Sequence, residues 1–135
     1  MNITASHVLD KHRLQAWLAG LDAAPLECDG MTRCISILLQ RDRVRHEVHR
    51  GDLVVHGAGT ITPHWWIRVG NGLVCDFRAR MWLGQPGLVP HGVFRPEEHV
   101  QYRSAGVEDI PPSPLVFHVL AGVPLDTYPR LSALE

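Results

Sequence analysis

A cysteine at 34, a histidine at 64 and an aspartate at 76 occur in an order that suits acyl transfer. A thiol attacks a carbonyl only as its thiolate, and its ordinary pKa of roughly 8.5 keeps it mostly protonated at neutral pH. An imidazolium beside it supplies the counter-charge. A carboxylate on the other ring nitrogen fixes the tautomer and steadies the charged ring. Cys34 opens the run "CISILLQ", and His64 and Asp76 stand near the two ends of "HWWIRVGNGLVCD". The expected roles are therefore Cys34 as nucleophile, His64 as base and Asp76 as orienting acid. Cys28 is the alternative nucleophile, although "LECDGM" places it before an Asp-Gly pair that reads as loop and offers no helix dipole. Cys75 alternates with Asp76 and is expected to point into the core.

The elements must bring these residues together. Residues 6–21, "SHVLDKHRLQAWLAGL", carry Leu14, Trp17, Leu18 and Leu21 on one helical face, with Thr4 or Ser6 as candidate caps. Pro25 and Gly30 break the chain into a loop. A short helix is predicted from about residue 33 to 40, with Cys34 in its first turn. There the unpaired N–H groups and the positive dipole end favour an anion, and the Cys34 N–H would face a developing oxyanion. Residues 44–49 and 52–56 read as strands meeting at Gly51, "GAGTITP" as a loop, and 64–69 with 73–77 as a hairpin around Gly70-Asn71-Gly72. Residues 99–104 are a further strand candidate. "RARMWLGQPGLVPHG" has no clean period and reads as an irregular cover. "SPLVFHVLAG" is a helix with Ser113 as cap, Pro114 first and Gly122 past the end, or else a buried strand.

Register decides the pair. With all three residues in the turn, Val69 faces Leu73, and His64 shares a sheet face with Asp76 on a diagonal. With a two-residue turn, Asp76 falls opposite Ile67 on the wrong face, because a one-residue slip reverses every side chain.

The ordering of Cys at a helix start, "HWW" on a strand and Asp on the next strand resembles the transglutaminase-like branch of the papain-like cysteine protease superfamily. That resemblance covers roughly residues 30–77. It implies an α+β fold in which a helix-borne Cys34 packs on an antiparallel sheet carrying His64 and Asp76. It also implies a thiol peptidase, amidase, deamidase or transglutaminase activity that needs no cofactor. "GDLVVHGAGTITPHWWIRVGNG" is also similar to the NlpC-type peptidases, though "RCIS" stands where that family has Asp-Cys-Ser.

Trp65, Trp66 and Thr32 are the candidate substrate contacts, one tryptophan packing inward and the other walling a cleft. No metal site is expected: His46 and His49 would point to opposite faces of a strand, and no HExxH occurs. Arg78 and Arg80 follow Asp76 and would bind a substrate carboxylate, pair with Asp76, or form a charged surface. A length of 135 residues suggests one domain, residues 1–135. The net charge of −1 gives no footprint for nucleic acid or an anionic membrane. With no apolar leader visible, a cytoplasmic location is expected, with delivery to another cell as an effector an open route. The partner expected is a peptide or protein amide. Two other classes stay open: a binding module on the same fold, and an N-acetyltransferase-like acyl transfer.

Overall fold

The computed structural model describes residues 10–134, and Asp10 opens the first helix among them. Its carboxylate accepts from the N–H groups of His12 and Arg13, capping α1 (Lys11–Leu18). The predicted caps at Thr4 and Ser6 lie outside the described residues. A single 3₁₀ turn, Ala19–Leu21, ends this segment. The apolar residues at 14, 17, 18 and 21 are buried, as their spacing requires.

The next helix, α2, runs Cys28–Arg41, so it begins at Cys28 and not near residue 33. Gly30 does not break it. A helical glycine costs about 1 kcal/mol relative to alanine, and the stripe of Met31, Ile35, Leu38 and Leu39 buried in the core outweighs that.

The sheet is antiparallel, with strands β1 (His46–Val55), β2 (Gly59–Val69), β3 (Val74–Asp76), β4 (Gly92–Phe94) and β5 (Val100–Glu108) in the order β4-β3-β2-β1-β5. The molecule is thus α+β. Gly51 joins the two segments at 44–49 and 52–56 into one strand. A bulge lies beside it, and a Cβ there would collide with the Arg103 carbonyl of β5. The predicted loop at 57–63 is largely strand, because Gly59, Thr60 and Ile61 pair with Val55, Val54 and Leu53. The predicted irregular cover contains a short helix, α3 (Ala79–Leu83), and leads into β4.

The last helix, α4 (Pro114–Ala121), settles the helix-or-strand choice. The Ser113 hydroxyl accepts from the Val116 N–H, Pro114 is first, and Gly122 takes the left-handed conformation with φ of 82°. The main core lies between the helices and the sheet face bearing Val48, Ile67, Val69 and Cys75. A smaller cluster of Leu53, Val55, Ile61, Ala79, Val89 and Val100 fills the other end.

Candidate active site

The turn at 70–72 takes the three-residue form. Val69 N–H donates to the Leu73 carbonyl, Arg68 pairs with Val74 and Ile67 with Cys75. Asn71 and Gly72 both adopt positive φ, which suits an amide side chain and a glycine. The consequence is the face assignment that the pair needs. His64 and Asp76 meet, with Nε2 of the ring 2.7 Å from Oδ2 of the carboxylate, and both side chains are buried.

Asp76 is held from three directions. Its Oδ2 also accepts the Tyr102 hydroxyl at 2.7 Å, and its Oδ1 accepts the Arg78 backbone N–H at 3.0 Å. Burial by itself would lower the His64 pKa, since it penalises the charged ring. The hydrogen bond that the ring donates to Asp76, together with the neighbouring Cys28 thiol, reverses this and holds it up at about 9. The ring is therefore an imidazolium at neutral pH. Its Nδ1 is buried and makes no hydrogen bond within the described residues. Nε2 is taken by Asp76, so Nδ1 is the nitrogen left for chemistry with the thiol.

The thiol beside the ring is that of Cys28. The expectation for Cys34 is corrected by the helix boundary. Six residues into α2, Cys34 is past the first turn and points roughly 120° away from Cys28 at 100° per residue. It has no exposed surface and sits in the main core. Burial pushes its thiol up to about 11, with the charge of Arg33 only partly opposing. Cys75 is likewise core, pushed up to about 12 by burial and by the adjacent Asp76 charge. Cys28 is half-buried and is the first residue of α2. No side chain caps this helix, and neither the Cys28 nor the Asp29 N–H donates to the protein among the described residues. The helix terminus that carries the Cys28 side chain thus offers two unpaired donors and the positive dipole end. The sequence signal for this start was the apolar stripe itself: read backward from Ile35 and Met31 in steps of three and four, it reaches Cys28.

Arg78 fixes the approach to that helix. Its guanidinium is buried and donates to the Asp22 carboxylate and to the carbonyls of Asp22, Ala24, Leu26 and Phe77. It does not pair with the Asp76 carboxylate through its side chain. Sequence reasoning did not anticipate this clamp on residues 22–26. Arg80 binds the Val89 and Pro86 carbonyls.

A cleft of about 350 Å³ opens beside Cys28, lined by Glu27, Asp29, Ile61, Thr62, Pro63, Trp65 and Trp82. Trp65 thus walls the cleft, as one of the two tryptophans was expected to. Trp66 does not: it is fully buried, stacked on His49 at 5.7 Å and packed on Tyr102 at 4.9 Å. Thr32 is also buried, one turn inside the helix, and is not part of the cleft wall. Trp82, 56% exposed on α3, is a cleft residue that the sequence did not single out. His46 is engaged by Ser36 and the Val44 carbonyl, and His49 by Ser104 and Glu47. No family model, curated protein or solved structure matches this chain.

Proposed function

We propose that the protein is a thiol-dependent amide hydrolase or acyl transferase whose nucleophile is Cys28, with His64 as general acid and base and Asp76 as the orienting carboxylate. The observation that carries this reading is the imidazole. It is clamped to Asp76 at one nitrogen and, among the described residues, unpartnered at the other, with a thiol beside it at the open end of a helix. The overall arrangement is of the papain-like, transglutaminase-like kind, with a helix-borne cysteine against an antiparallel sheet carrying histidine and aspartate.

In this reading the Cys28 thiolate attacks the amide carbonyl. The oxyanion forms at the unpaired N–H groups of Cys28 and Asp29, which need no reorganisation to receive it. The imidazolium gives its Nδ1 proton to the leaving amine, and the C–N bond breaks. Neutral His64 then takes a proton from water, or from a second amine, as it attacks the thioester, and the thiolate is released. Asp76 stays ionised and holds the ring in place. The substrate is a peptide or protein amide whose side chain lies against Trp65 and Trp82.

Iodoacetamide labelling with mass-spectrometric site assignment tests the nucleophile. At about pH 6, Cys28 is expected to label ahead of Cys34 and Cys75, and His64→Ala is expected to slow it. Labelling of Cys34 first would overturn the assignment. Lysates expressing wild type and Cys28→Ala are then compared for new peptide termini and glutamine-to-glutamate changes. Asp76→Asn is expected to reduce any such turnover by roughly 10²–10⁴-fold. Identical proteomes would leave a binding module, and a strict need for acyl-CoA would move the reaction to the acyltransferase class.

A further inference from the structure

Tyr102 lies on β5, three strands away from β3 in the sheet order. On a flat sheet that separation is roughly 14 Å, at about 4.8 Å per strand, and no tyrosine spans it. Yet the Tyr102 hydroxyl donates to Oδ2 of Asp76 at 2.7 Å. The sheet is therefore curved enough to bring this part of β5 to the site, and the pairing of β1 with both its neighbours shifts register around Gly51. Oδ2 is the same oxygen that receives His64 Nε2. One carboxylate oxygen is thus shared between a phenol and an imidazole.

We propose that Tyr102 is a positioning residue of the site: through the shared Oδ2 it fixes the Asp76 carboxylate and sets how much of its negative charge reaches His64. The inference rests on the triad reading above. A hydrogen bond donated to a carboxylate withdraws charge from it, so the phenol weakens the pull of Asp76 on the imidazolium proton. It also blocks the rotation that would turn Oδ2 away from the ring. Burial, together with the Asp76 charge, holds the phenol pKa well above its usual value, so it remains a donor throughout the working range. The ring is braced by Trp66 at 4.9 Å and Phe94 at 6.3 Å. Among the described residues, the titratable groups facing His64 are Cys28 from α2, Asp76 from β3 and Tyr102 from β5. His49 of β1 lies behind Trp66 and is tied to Ser104 and Glu47, and Cys75 is directed into the core.

The test reads His64 directly, by titrating isotope-labelled histidine in the full chain by NMR. Tyr102→Phe removes one oxygen and keeps the ring. It is expected to raise the His64 midpoint by about one pH unit, as the full carboxylate charge falls on the imidazolium. Fluorotyrosine, incorporated in a Tyr128→Phe background so that Tyr102 is the sole tyrosine, donates more strongly and is expected to lower the midpoint. A His64 midpoint unchanged by fluorotyrosine, or moved the same way by both substitutions, would overturn the proposal. Should Tyr102→Phe fail to fold, the fluorotyrosine result alone decides. Because NMR reads the Tyr102–Asp76–His64 coupling whether or not Cys28 reacts, failure of the triad reading would appear separately, as alkylation of Cys28 that is indifferent to His64.

Discussion

His64 joins the proposed chemistry to the stability of the fold. In the unfolded chain its pKa lies near 6.5, and in the fold it is raised to about 9. A folded-state pKa above the unfolded one means that the native state binds the proton more tightly. The stability from the His64–Asp76 pair is therefore fully present below about pH 6.5 and is lost as pH rises through about 9. His46 has the opposite sign. Its burial lowers its pKa, only partly offset by the Val44 carbonyl, so the native state prefers it neutral and its contribution weakens on acidification. Chemical denaturation across pH separates the two. His64→Gln is expected to flatten the decline in stability between about pH 6.5 and 9 while leaving the acid side unchanged. A variant that kept the full alkaline decline would show that the pair does not carry it.

At the scale of elements, the hairpin was legible and the helix start was not, for physical reasons that differ. In "RVGNGLV" a glycine-rich turn leaves few backbone options, and side-chain alternation then puts His64 and Asp76 on one face. The start of α2 is a weak local signal: an acidic cap without a side-chain bond, a cysteine and an Asp-Gly pair that favours turns equally well. Tertiary burial of Met31, Cys34 and Ile35 decides it. That is why sequence reasoning places Cys34 correctly on a helix but near its start, a position that Cys28, six residues earlier, occupies. The clamp by Arg78 was illegible because its five acceptors come from residues 22–26 and Phe77, four of them backbone carbonyls with no sequence signature. Its consequence is testable. Arg78→Gln strands several buried acceptors, and with Asp22 a third exposed and discounted for screening, the loss of stability is expected to be about 3 kcal/mol. Arg78→Lys restores the charge but not the planar fork, and is expected to recover only part of it. Urea midpoints measure the stability. Cys28 labelling should slow in step, because the loop that sets the first turn of α2 is loosened.

For the whole molecule, acidic and basic residues nearly cancel, with 14 Asp and Glu against 13 Lys and Arg. The global field is thus weak, and the potential at the cleft is decided locally. There the wall carries the exposed carboxylates of Glu27 and Asp29 and the faces of Trp65 and Trp82 and, among the described residues, no lysine or arginine. Carboxylates about 7 Å from an incoming charge act with roughly 0.6 kcal/mol each in water, and screening at physiological salt reduces this by about half. Tryptophan faces add a further preference for cations. The imidazolium of His64 and the helix dipole work against this, so an absolute preference is a poor test and a difference between variants is a sound one. Cationic and anionic methanethiosulfonates of similar size report the field at Cys28, each rate normalised to a free cysteine peptide. Glu27→Gln combined with Asp29→Asn is expected to lower the cation-to-anion rate ratio by about five-fold at 0.15 M salt, with the difference shrinking as salt is raised. Trp82→Ala should lower it further without changing the salt dependence. Should the ratio stay where it is in both variants, the cleft walls do not steer charge, and discrimination among ligands of the cleft would have to come from shape alone.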